Sequence, residues 1–108
     1  AQLGLRVIET DRVGEARKLA DIRTAHQGPG VVMLYMPGHI MLYLGRDGAH
    51  QYAVSSISEY LTPCEGGPDT VNRIDRVAVT TLELGRGTRK RAFIERITTL
   101  VVFGPVDS

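Results

Sequence analysis

The sequence predicts an α+β domain built on an antiparallel sheet, and three observations carry that expectation. An amphipathic helical segment lies near the start, two apolar β-rich runs split by Pro-Gly follow it, and further strand-like runs bounded by turn residues fill the second half. With 108 residues, 43% hydrophobic and 23% charged, residues 1 to 108 suit a single domain with one modest core.

The helix falls in DRVGEARKLADIRTAH, where Val13, Ala16, Leu19 or Ala20, and Ile22 recur at helical spacing with charges on the other face. QGPG at 27 to 30 ends it, because two glycines and a proline do not continue a helix cheaply. VVMLYM (31 to 36) and HIMLYLG (39 to 45) are aromatic, β-branched and almost uniformly apolar, the pattern of strands buried on both faces. Pro37-Gly38 turns the chain between them, and RDG at 46 to 48 is a second hairpin signal before AHQYAVSS. Residues 31 to 56 therefore read as a three-stranded meander. SEYLTPCEGGPDTVN, from Ser58 to Asn72, is rich in Pro, Gly and polar residues and reads as a long surface loop. RIDRVAVTTLEL resumes a strand, GRGTRKR is a basic turn, AFIERI a helical turn and TTLVVF a closing strand. The opening AQLGLRVIET has no initiator methionine, basic n-region or hydrophobic h-region, and reads as the start of a mature or internal piece.

Charge and cysteine usage narrow the function classes. The net charge of +1 comes from 13 basic and 12 acidic residues that are interspersed, so no long-range field favours nucleic acid or a membrane surface. Every apolar run is far shorter than the roughly 20 residues that span a bilayer. A single cysteine, Cys64, excludes an internal disulfide and a cysteine-based zinc site, and the irregular spacing of His26, His39 and His50 argues against a histidine site. No cofactor is expected.

His39 is the residue out of place, because it opens an apolar strand where a buried imidazole needs hydrogen-bond partners. A three-residue loop centred on Asp47 would set it opposite Ser55, and a two-residue Asp-Gly turn would set it opposite Ser56. A hydroxyl beside the ring can orient one nitrogen and leave the other to act as a base. The plainer alternative is that His39 and Ser55 satisfy one another at a strand edge. His26 can cap helix carbonyls, and His50 lies beside the hairpin loop. Cys64 follows Pro63 and precedes Glu65, a setting that does not activate a thiol. GRGTRKR can grip a phosphate or carboxylate, but it lacks interleaved aromatics for nucleic-acid bases and the ending of a phosphate loop.

PGHIMLYLGRDG, with YAVSSISEYLTPC and DRVAVTTLELGRGTRKRAFIERIT after it, resembles the C-terminal half of the NlpC-like cell-wall cysteine peptidases, of the bacterial branch often joined to Src-homology-3-like domains. The likeness spans roughly residues 30 to 103. It implies a papain-like α+β fold, an antiparallel sheet with one or two short helices, in which a cysteine-bearing helix is absent from this chain. It also implies cleavage of peptidoglycan stem peptides, with His39 as general base and Ser55 in the position of the third polar residue. The family's Asp-Cys-Ser segment has no counterpart in residues 1 to 38, and Ser55 brings no negative charge to stabilise an imidazolium.

Three readings follow from that resemblance. In one, the chain is the histidine-bearing part of a peptidoglycan endopeptidase completed by a cysteine-containing N-terminal segment, and alone it is inactive. In the second, it is a non-catalytic module that binds a peptide, glycan or protein partner. In the third, Cys64 serves as a relocated nucleophile. A cell-wall substrate implies the bacterial envelope, periplasmic or secreted. A sheet without its cysteine-bearing helix would expose an apolar face, which predicts a homodimer or a complex with the missing segment.

Overall fold

A computed structural model describes residues 2–106. The elements run β1 (Gln2–Glu9), α1 (Glu15–Gln27), β2 (Val31–Met36), β3 (His39–Asp47), β4 (His50–Thr62), β5 (Thr70–Thr81), α2 (Phe93–Arg96) and β6 (Thr99–Val106). All strands join one antiparallel sheet in the order β1-β6-β2-β3-β4-β5, so the chain is α+β as expected. No helix among the described residues is long and apolar enough to cross a membrane.

Both helices pack on one face. Val32, Leu34 and Met36 of β2, Met41 and Tyr43 of β3, Ala53 and Ile57 of β4, and Leu100 and Val102 of β6 meet Ile22 and Ala25 of α1 and Phe93 and Ile94 of α2 in a single core. Lys18 ties the helices together, its Nζ donating to the Glu95 carbonyl at 2.9 Å. The segment between β5 and α2 is held by Phe93 N–H donating to Leu84 O and Ile94 N–H donating to Leu82 O. Arg86 bridges Glu15 of α1 and Glu83 of that segment.

The expectation that β2 and β3 are buried on both faces is corrected. Their burial alternates, and Val31, Ile40 and Leu44 are 45%, 42% and 47% exposed. The cause is that α1 and α2 cover only one face, while the register aligns Leu5, Phe103 and Val31 on the other. Val77 and Val79 extend that uncovered apolar face onto β5.

The long loop expected from Ser58 to Asn72 is corrected as well. β4 and β5 continue as a paired ribbon through Glu59↔Arg73, Tyr60↔Asn72, Leu61↔Val71 and Thr62↔Thr70, leaving a connection of residues 63 to 69. Most of its side chains are exposed, so little burial is needed and polar residues suffice; Asn72 Nδ2 donates to Thr62 Oγ1 across the ribbon. β1 had no sequence expectation, and it pairs along its whole length with β6. Where β6 passes the start of β2 the backbones touch: a Cβ on Gly104 would lie 2.8 Å from Gly30 Cα. Only glycine admits that approach.

Candidate functional site

The β3–β4 turn differs from both loops considered for it. Asp47 pairs with His50, so the turn residues are Gly48 and Ala49, and the register shifts between Tyr43 and Gly45. Counted on from Leu42↔Val54, Ser55 stands beside Met41 and His39 beside Ile57. Ser55 is thus a diagonal neighbour of His39 and not its direct partner. The longer hairpin and the bulge change the register by an even number relative to the three-residue loop, so both side chains still share a face. Ser56 falls on the opposite face and is exposed.

His39 Nε2 and Ser55 Oγ are 3.1 Å apart. Ser55 is only 7% exposed, so water competes little for that bond. In the tautomer whose Nε2–H donates to Ser55, Nδ1 carries the lone pair and has no hydrogen-bond partner among the described residues. The ring stacks on Phe93 with centroids 5.3 Å apart and planes 28° from parallel, which fixes its orientation from a second side. Arg96 completes the stack, its Cζ lying 5.7 Å from the Phe93 centroid.

His39, Phe93 and Arg96 border a groove of about 280 Å³, with Ser55 buried behind the His39 ring and outside the lining. His39 and Gly38 form one end, Ile57 to Leu61 one wall, and Leu84, Gly85, Lys90, Arg91, Phe93 and Arg96 the other. Burial and then the positive charge of Arg96 hold the His39 pKa below the ordinary histidine value of 6.5. The ring is therefore neutral at pH 7 and able to take a proton. Because the folded pKa is depressed, stability contributed here is complete above the unfolded pKa and is lost as pH falls through 6.5 toward the folded pKa. NMR titration is expected to place the His39 pKa below 6.5, and Arg96→Gln should raise it; an unshifted ring would contradict this environment.

The other candidates lie elsewhere. His26 packs edge-on against Tyr43 at 4.9 Å, His50 stands near Tyr52 at 6.4 Å, and among the described residues no group of three or more His, Cys, Asp or Glu side chains could hold a metal. Cys64 is exposed in the connection beyond Thr62 and does not border the groove. Five residue steps along β4 take the chain from Ile57 to Thr62, a run of roughly 17 Å at extended rise. Phe93 and Arg96 were not singled out from sequence, since they reach His39 from a helix more than fifty positions away and no local pattern announces such a contact.

No family model matches the chain, and no curated protein matches it.

Proposed function

We propose that this chain is the histidine-bearing part of a papain-like, NlpC-like cysteine peptidase that hydrolyses peptide bonds in peptidoglycan. The cysteine nucleophile comes from a segment outside these residues. The observation that supports this reading is a groove-lining His39 whose Nε2 is engaged by the buried Ser55 hydroxyl, leaving Nδ1 without a hydrogen-bond partner among the described residues. A thiol brought to Nδ1 would lose its proton to a neutral imidazole, and the thiolate would attack the amide carbonyl. The imidazolium would then protonate the leaving amine. Ser55 orients the ring without lending it a negative charge, so the pair depends more on geometry than on charge.

The open groove of His39, Phe93 and Arg96 supports an extended peptide substrate; the proposed peptidoglycan substrate implies the bacterial envelope. The uncovered apolar sheet face supports association with the rest of a domain or with a second copy. A second reading, a non-catalytic peptide-binding module, is favoured by one observation: the only cysteine of the chain, Cys64, does not border the groove. The two separate in one experiment. Peptidoglycan hydrolysis by the protein joined to its cysteine-bearing segment, abolished by His39→Ala, supports the peptidase; binding of stem peptides without turnover supports the module.

A further inference from the structure

We propose that Arg91 and Arg96 form a subsite in the groove beside His39 for a carboxylate carried by the bound peptide. This rests on reading the groove as a peptide cleft, and it adds which ligands that cleft prefers. Lys90, Arg91 and Arg96 all border the groove with His39. Lys90 has a carboxylate nearby, Glu59 at 3.9 Å. Among the described residues Arg91 and Arg96 have none within ion-pair distance.

One acid, Glu59, borders the groove and lies near Lys90 and Arg73, while the acids around α2 are engaged elsewhere. Arg86, outside the groove, gathers Glu15 at 2.7 Å, Glu83 at 2.5 Å and Glu95 at 3.4 Å. Glu95 adjoins Arg96 in α2, yet its Oε1 accepts from the Ala92 N–H at 2.9 Å and so caps the helix. Among the described residues one arginine outside the groove is over-supplied with carboxylates while the two that border it have none. The two groove arginines also repel one another: burial and then the charge of Arg91 lower the Arg96 pKa. A bound anion would relieve that repulsion.

Arg96 is preset for such a ligand. It is half-buried, and its stacking over Phe93 restricts a side chain that would otherwise lose considerable rotamer freedom on binding. The planar fork suits a carboxylate. Leu61, Leu84 and Phe93 supply apolar wall along the same groove, which suits a peptide side chain bearing its acid at the end better than a small free anion.

The test uses two short peptides, N-acetyl-Ala-Glu-Ala-amide and its Gln counterpart, titrated into the isotope-labelled protein and followed at His39, Arg91 and Arg96. The acidic peptide is expected to bind about 10-fold more tightly than the amide, a difference that follows from one charge-assisted contact. Arg96→Gln and, separately, Arg91→Gln should each erase most of that preference, and added salt should weaken the acidic peptide alone. Because the first comparison changes the ligand only, it stands even if a variant fails to fold. Equal binding of both peptides in the groove would overturn the subsite and leave the cleft standing. Binding of neither would overturn the cleft and the subsite together. Inorganic phosphate binding at Arg91 and Arg96 as tightly as the acidic peptide would overturn the peptide carboxylate in favour of a free-anion site.

Discussion

His39→Ala should reduce peptide hydrolysis by the cysteine-completed protein about 10²- to 10⁴-fold, the range that a positioned general base contributes. The loss should appear in kcat, with KM little changed, because in the proposed mechanism the imidazole would act on the thiol proton and the leaving amine more than on substrate binding. Ser55→Ala should cost much less, about 10-fold, since it removes one neutral hydrogen bond and leaves Phe93 stacked on the ring. That ordering separates the base from the group that positions it. A Ser55→Ala loss as large as that of His39→Ala would mean the hydroxyl itself takes part in the chemistry.

Ile94→Ala should destabilise the chain by about 3 kcal/mol, the usual cost of emptying a fully buried aliphatic site. Ile94 is 1% exposed and lies in the core with Leu82, Phe93 and Ile97. The thermal midpoint should fall by about 15 °C for a domain of this size. α2 has four residues and cannot persist as an isolated helix, so its position depends on these buried side chains. Partial loss of α2 would also remove Phe93 from His39, and the His39 ring resonances should shift in the folded variant. Val77→Thr is the control: Val77 is 67% exposed on the uncovered face, and a substitution there should change stability by less than about 0.5 kcal/mol. Equal thermal midpoints for Ile94→Ala and the parent would contradict the described packing.

Much of the sheet was legible because its signals are local. The Pro37-Gly38 turn, the apolar runs beside it and the QGPG break lie within a few residues of what they determine. That His39 and Ser55 share a face, though not that they are offset diagonally, was legible for a different reason. Side-chain facing depends only on whether the register shift is odd or even, so it held for the three-residue loop and failed for the two-residue Asp-Gly turn, which put Ser56 opposite His39. β1 escaped because its pattern is inverted: Leu3, Leu5 and Val7 face outward, while Gly4 and Arg6 alternate with them. The β4–β5 ribbon escaped because its order comes from cross-strand pairs such as Tyr60↔Asn72, which composition does not encode. Phe93 and Arg96 reach His39 only through the tertiary packing of α2, and the groove that brings Arg91 and Arg96 together with His39 exists only once that packing is in place.

In the proposed mechanism His39 serves a cysteine other than Cys64. Peptidoglycan hydrolysis by the protein isolated from its source can be assayed before and after thiol alkylation, with the modified cysteine located by mass spectrometry. Hydrolysis that stops when a cysteine outside these residues is alkylated is the predicted result. Hydrolysis that stops only on modification of Cys64, or an absence of hydrolysis by the isolated protein, would contradict it.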